Sequence, residues 1–584
     1  MIRKLIRSML TAQIFSALTV SVCLLIDNIM IGRFLGEEAI AAYGLSNPLL
    51  LLVGGVASLL SAGVQVSCSK SLGKGSREET NAGFSSALAV AVGFSVPVLI
   101  LVFLLIRPLT TLLGAGTGGS LYDQTRGYLI GFNLGGPATV GALVLVPFLQ
   151  LAGRSGLLIA AVLGMTVTDI VLDLLNVLVF HGGMFGMGLA SALSYYVALI
   201  IGGSYFLTRG CSFRFSRKLV SFRKIRELFR DGLPSGFNAL ASVILVYVMN
   251  QILSTAGGSS AVAAFAVISS LGNSFNCIST GIGGVSLTLT GIFYHEEDRG
   301  NLRETVILLC RYGVFLGLAM GILIYFLAPP LAGLLLPKEG TAWRTAVLGM
   351  RLFAAGLIPC TVINALKYAY QGTGRVALMG GISLTEGAVL QVLSALVLGR
   401  IFGLPGALMY FCCGELLAVI LICVYIRIRS GRAPWRGDTF LLLKDDFGVA
   451  ADRLLEMNIQ SLEEAAAAAR KAEAFCRSHG QSGRLTNHIA LCVEEMAAFT
   501  IEHGFQQDGR KHHLFLRILR KEDGWILRFR DDCRPFDPTV YIADQEYMGI
   551  RMVQRLAEEA NYTYSLNMNN LTLKLPAESG DKAE

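Results

Sequence analysis

The chain has 584 residues, of which 53% are hydrophobic and only 15% charged, with a formal net charge of +8. Its mean hydropathy of +0.58 does not describe an ordinary soluble protein. The positive balance needs no nucleic-acid partner, because loop lysines and arginines orient membrane helices. Runs of roughly 20 apolar residues, enough to cross a ~30 Å hydrocarbon core, recur from near the start to about residue 428 and then stop. In chain order they fall near 9–33, 45–69, 86–106, 127–151, 157–180, 186–207, 234–256, 262–292, 305–328, 344–370, 376–400 and 404–428. The expected fold class is therefore a polytopic all-α membrane protein of about twelve transmembrane helices, followed by a soluble α+β sandwich domain. The opening "MIRKLIRSMLTAQIFSALTVSVCLLID" has the basic start of a signal peptide. Its apolar run continues too far and lacks a small-residue cleavage pattern, so it is read as the first helix. The twelve cysteines include no CxxC pair, and Cys23, Cys277, Cys412 and Cys413 inside spans read as small buried hydrophobes.

Arg3, Lys4 and Arg7 precede the first span, Lys70, Lys74 and Arg77 follow the second, and "RGCSFRFSRKLVSFRKIRELFRDG" (209–232) separates the sixth from the seventh. With about twelve alternating helices these fall on one side, which the positive-inside rule makes cytoplasmic together with both termini. "DNIMIGRFLGEEAIAAYG" (27–44) is echoed by "NQILSTAGGSSAVAAFAV" (250–267), and "GKGSREETNAG" by "EDRGNLRETVI". Two six-helix repeats flanking a cleft are the plan of a transporter, with substrate near the midplane.

Charge inside hydrocarbon costs at least ~2.5 kcal/mol on insertion scales, so each acid there demands a partner or a purpose. Asp27, Asp169, Asp173, Glu386, Glu415 and Asp231 fall within spans or near their ends. Asp169 and Asp173 share a helix face by their spacing of four. Two carboxylates that close do not both ionise comfortably in a low dielectric, which outlines a proton site. Asn176, three residues on, either joins them or faces another helix. Glu386 stands open to neutralisation by Arg400 or Lys367, and Asp231, among loop basics, reads as a helix cap or a solvated charge. No span holds the dense basic array that a pyrophosphate-lipid head group requires.

The segments "DNIMIGRFLGEEAIAAYGLSNPL" and "TVTDIVLDLLNVLVFHGGMFGMGLASALS", with the two-by-six repeat, resemble the multidrug and toxin extrusion (MATE) family over roughly residues 1–430. The resemblance implies an H⁺- or Na⁺-coupled antiporter exporting amphiphilic, often cationic organic compounds. It also implies that Asp27 and Asp173 belong to the coupling cluster, with Asp169 standing where the family commonly has asparagine. Glu386 and Glu415 are candidates for a second polar site in the other bundle. No catalytic residue, metal or cofactor is expected beyond the coupling ion.

Past residue 439 the pattern changes. "TFLLLKD" and "DRLLEMNIQ" read as strands, and Ser461 and Glu464 as a capping box opening an alanine-rich helix. A second helix follows over 484–505, then two strands joined through Asp523-Gly524, a helix over 549–560 and the strand "LTLKL". The tail resembles the GHKL ATP-binding domain of anti-sigma-factor serine kinases and histidine kinases over about 450–576. The match lies in "VEEMAAFTIEH", "DDCRPFD" and "YMGIRMV", which bring Glu495, Asp531 and Gly549 to the motif positions. It departs where chemistry would occur. Phe499 stands in place of the asparagine that would ligate magnesium, and a phenyl ring offers no oxygen ligand. Cys533 and Tyr547 replace glycines, and a tyrosine keeps backbone N–H groups from the phosphates. The expectation is a degenerate domain without kinase or ATPase activity that binds a protein partner or regulates.

The expected domains are an N-terminal bundle (1–208), a basic cytoplasmic loop (209–233), a C-terminal bundle (234–430), a linker (431–449) and the tail (450–576). The protein is expected to be a multi-pass transporter of the cytoplasmic membrane whose partners are a small organic substrate, the lipid bilayer and a protein contacting the tail, not nucleic acid. The competing readings are a membrane-anchored signalling protein and a flippase for lipid-linked sugars.

Overall fold

The computed structural model describes every residue except 1, 74–75, 114–117, 209–210, 212, 337, 339, 506–510, 523, 540–547 and 577–584. The membrane part is built from α1 (Ile2–Met30), α2 (Glu37–Gly73), α3 (Arg77–Leu104), α4 (Ile106–Leu112), α5 (Ser120–Asn133), α6 (Gly136–Leu151), α7 (Ser155–Leu175) and α8 (Gly183–Ser204). It continues with α9 (Phe222–Phe275), α10 (Cys277–His295), α11 (Arg299–Leu335), α12 (Thr341–Gly372), α13 (Val376–Leu384), α14 (Gln391–Leu408) and α15 (Tyr410–Ser430). By length and composition, eleven spans among the described residues are long and apolar enough to cross a membrane, and the pair α5–α6, bent by 47°, makes a twelfth if taken as one. That bend falls where Pro137 opens α6, a residue that cannot continue the preceding hydrogen-bond ladder.

Two backbone features recur far apart in the chain. Gly36 (φ 91°) separates α1 from α2, and Gly258 (φ 64°) breaks α9, both in a region closed to most L-residues. A glycine–arginine turn opens α7 and α13. Gly153 (φ 70°) and Gly374 (φ 78°) precede Arg154 and Arg375, whose N–H groups donate to Leu149 O and Tyr370 O at 2.9 and 2.8 Å.

α9 begins at Phe222, so the second half of the expected basic loop is helix. Leu228 and Ile225 give that segment an apolar stripe that packs on α2, and Leu228 is fully buried. Asp231 is consequently neither solvated nor a cap: it lies inside α9, buried, with Arg230 Nε 3.0 Å from its carboxylate.

The tail contains β1 (Leu454–Ile459), α16 (Leu462–Ser478), α17 (Gly483–Phe499), β2 (Leu514–Lys521), β3 (Gly524–Asp531), α18 (Met548–Leu556), β4 (Glu559–Ser565) and β5 (Met568–Pro576). The strands form one antiparallel sheet in the order β1-β2-β3-β5-β4, with a core of α16, α17 and α18 side chains packed on it. The Ser461 cap holds, its hydroxyl accepting from Glu464 N at 3.2 Å, while the Glu464 carboxylate reaches back to Gln460 N at 2.7 Å. Two expectations fail. "TFLLLKD" makes a 3₁₀ turn at Thr439–Leu441, not a strand. Its carbonyls are bound by side chains of the bundle: Tyr370 OH donates to Phe440 O at 2.7 Å, and the Arg375 guanidinium donates to Leu441 O and Leu442 O. The helix expected to reach 560 ends at Leu556, because "EANYTYS" pairs with β5; alternating aromatic and polar residues suit a strand with one buried face.

Candidate functional site

α1 and α7 bring Asp27 and Asp169 together with Cys23. One ligating atom from each lies within 4.8 Å of the others. Cys23, expected to be a packing residue, points its thiol at Asp169, with Sγ 2.9 Å from Oδ2. Asp27 is near enough to Asp169 and Asp173 to feel both charges. All three acids are at least nine-tenths buried. Four of their oxygens, Asp27 Oδ1, Asp169 Oδ1 and both of Asp173, accept no hydrogen bond among the described residues. Asp169 lies fourteen residues past Ser155, which at ~1.5 Å per residue puts it ~21 Å along α7, near mid-membrane depth. The cluster therefore presents an excess of acceptors with no basic side chain, the arrangement that takes up a proton or a small cation.

Asn176 is turned to another task. Its Nδ2 donates to Gly183 O at 3.0 Å, tying the end of the α7 span to the start of α8. Ser194 and Tyr195 of α8 and Tyr43 of α2 also neighbour the acids; their roles as hydroxyls beside carboxylates are invisible without the fold. Phe265 and Phe353 are core residues, the first edge-on to Tyr410 and the second stacked on Phe411 at 4.2 Å.

The second bundle holds its own cluster. Lys367 of α12 pairs with Glu386 at 2.8 Å, both buried, and Gln391 Nε2 donates to Glu415 Oε1 at 3.2 Å. Cys360 Sγ completes a set of atoms within 4.8 Å of the two glutamates. Of the two cations open to Glu386 in the sequence, Lys367 is the partner. Counted from the turn glycines, Glu386 stands twelve residues after Gly374, level with Met165 after Gly153, one helical turn before Asp169.

One end of the membrane part is sealed. A Cβ on Gly63 of α2 would lie 2.0 Å from Leu228 O, and one on Gly232 of α9 would lie 2.0 Å from Leu59 O, so the two backbones touch reciprocally. Gln65 Nε2 donates across the same seam to Gly284 O at 3.1 Å. The tail docks over this end. Its β2–β3 face grips the α10–α11 turn: Arg517 pairs with Asp298 at 2.8 Å, Lys521 with Glu297 at 2.8 Å, and Arg530 with Glu296, while Arg528 donates to Glu296 O at 2.8 Å. The β4–β5 turn, with Leu566 and Asn567 both at positive φ, reaches the other bundle, where Leu566 N donates to Leu151 O at 2.8 Å. These contacts join residues more than 200 apart and leave no local sequence signal.

In the tail, the residues expected from the sequence at nucleotide-motif positions pack or bond within the domain. Phe499 lies against Phe536 at 4.7 Å. Asp531 accepts from Asn569 Nδ2 at 2.7 Å and from Cys533 N at 3.0 Å. Burial pushes the Asp531 carboxyl above its ordinary range, and those two donors draw it part of the way back. A Cβ on Gly549 would meet the Glu495 carboxylate at 1.8 Å, so the acid sits directly against the glycine backbone. Phe499 offers no oxygen ligand to a cation, and the Asp531 carboxylate is already bonded within the tail. Tyr547 lies outside the described residues.

A family model described as MatE matches residues 12–175. Protein DETOXIFICATION 42 of Arabidopsis thaliana is 24% identical over 365 residues, 60% of this chain and 67% of its own length. A MATE solved in complex with MaL6 superposes with a TM-score of 0.69 at 21% identity, covering 73% of this chain and 96% of that one. A MOP superfamily transporter from Pyrococcus furiosus gives the same figures. A mutant of the Vibrio cholerae MATE transporter VcmN gives a TM-score of 0.68 at 16% identity, covering 76% of this chain and 99% of that one. At such identities the structural likeness shows the fold.

Proposed function

We propose that this chain, for which the family-model match, the curated relative and the fold together support a MATE family transporter, is a secondary antiporter exporting amphiphilic or cationic organic compounds. The two bundles are repeats, and the matching glycine–arginine turns at 153–154 and 374–375 support that reading. Asp27, Asp169 and Asp173 take up H⁺ or Na⁺, and the observation that carries this is the four buried carboxylate oxygens that accept no hydrogen bond among the described residues. A cation entering there removes repulsion among the acids and lets α1 and α7 close on each other. Ligand-dependent preference for one arrangement is what couples two transport steps.

The sealed end, bearing both the basic residues and the tail, is cytoplasmic, so the described state is open outward. The tail bridges both bundles across the closed end and regulates how readily it opens. For the test, the full chain is reconstituted in vesicles and export of a fluorescent organic cation is followed under an imposed pH or Na⁺ gradient. Gradient-driven flux in the parent and its loss in Asp173→Asn are expected. Flux that ignores both gradients, or an Asp173→Asn protein as active as the parent, overturns the coupling assignment.

A further inference from the structure

Beside the sealed seam, on the tail side, lies an open cavity of about 1100 Å³ bounded by the ends of α2, α10 and α15, the N-terminal part of α9, the start of α11, the turn into α13 and the linker. Its walls hold seven lysines and arginines against three aspartates. All three carboxylates already have an arginine: Asp231 has Arg230 at 3.0 Å, Asp438 has Arg299 at 2.5 Å, and Asp445 has Arg432 at 3.9 Å. Arg375 is occupied by the Leu441 and Leu442 carbonyls. Lys70, Arg429 and Lys444 remain, with no carboxylate paired to any of them among the described residues. Residues 376–378, the first turn of α13, belong to the same wall and add the partial positive charge of a helix N-terminus.

We propose that this cavity binds a phosphate-bearing anion. Three uncompensated cations around one volume favour a group with more than one negative charge, and phosphate matches both ammonium and guanidinium donors. The volume exceeds what a bare inorganic ion fills and suits an organic phosphate, supplied either by a lipid head group at the membrane surface or by a soluble phosphate ester. The proposal goes beyond the export reading, which assigns no anion. Asp438, Lys444 and Asp445 belong to the linker that leads to the tail, so an occupant bears directly on the segment holding the tail in place.

The experiment uses the full chain in neutral detergent with inorganic pyrophosphate or ATP as soluble probes, and in nanodiscs of phosphatidylcholine with or without phosphatidylglycerol. The unfolding midpoint and the calorimetric affinity are read in each. The parent is expected to bind at least one probe class, with affinity falling as salt rises. Lys70→Gln, Arg429→Gln and Lys444→Gln are each expected to weaken it about tenfold, the scale of one charge-assisted hydrogen bond. Arg429 and Lys444 are exposed, so their variants keep the fold, verified by an unchanged midpoint without ligand. Binding of pyrophosphate in detergent identifies the soluble source, and stabilisation confined to phosphatidylglycerol nanodiscs identifies the lipid. A parent that binds neither class, or Arg429→Gln and Lys444→Gln proteins that bind within twofold of the parent, overturns the proposal.

Discussion

Each half of the membrane part buries an acidic cluster, yet among the described residues only the second brings its own cation. In the second bundle Lys367 lies 2.8 Å from Glu386 and Gln391 occupies one oxygen of Glu415. In the first, three acids face one another, with the Cys23 thiol donating to Asp169 and the Ser194 hydroxyl beside it. A resident ammonium pairs with Glu386 inside the fold, while Glu415 is met only by the neutral Gln391 amide and keeps Oε2 without a hydrogen bond among the described residues. The first cluster has no such cation among the described residues, which is why the coupling role is proposed for it. The contrast teaches that the number of acids in a span is a poor guide to function until the nearby cations are counted.

The largest expected effect breaks the contrast from the second side. Lys367→Met leaves Glu386 buried beside Glu415 without a counter-charge, and should destabilise the protein by about 3–5 kcal/mol, seen as a lowered unfolding midpoint. The double variant with Glu386→Gln should recover most of that loss. Next, Asp27→Asn and Asp173→Asn should cut gradient-driven flux by about tenfold or more, the scale of an ordinary coupling free energy. Their unfolding midpoints should not fall, since an amide removes a buried charge instead of stranding one. Equal loss of stability in these variants would show that both clusters are structural. Smaller again is the docked tail: Glu296→Arg or Arg530→Glu should each weaken docking by about 1–2 kcal/mol and raise flux several-fold, with the charge-swapped pair returning it towards the parent. The smallest effect sharpens the first cluster. Cys23→Ala removes the thiol donor to Asp169 and should shift the apparent cation affinity by only a few-fold, at a cost of about 1 kcal/mol.

The acids were legible because a carboxylate in an apolar run stands out against its neighbours, and Asp169 and Asp173 declared a shared face by spacing alone. Cys23 was not, since a cysteine among leucines has the same appearance whether it packs or donates. Lys367 was one of two eligible partners for Glu386, and only the fold separates it from Arg400. The spans were readable from length, whereas the start of α9 was missed because arginine-rich helix and arginine-rich loop share a composition. "TFLLLKD" has the residues of a strand and lacks the partner strand that would make it one. β4 was missed because its alternation runs through tyrosine and threonine immediately after a helical stretch. The grip of Arg517, Lys521 and Arg530 on Glu296–Asp298 depends on where two distant surfaces meet, and no local pattern encodes that.

The turns at Gly153 and Gly374 have a consequence for how the molecule is made. The first receives the β4–β5 turn, with Asn567 N only 2.2 Å from where a Cβ on Gly153 would stand. The second receives the linker, through Arg375. The tail is translated after both bundles, and domains fold as units in order of synthesis. Its docking places therefore exist only once each bundle has inserted and formed its own turn. Docking of the tail is thus contingent on both halves of the membrane part.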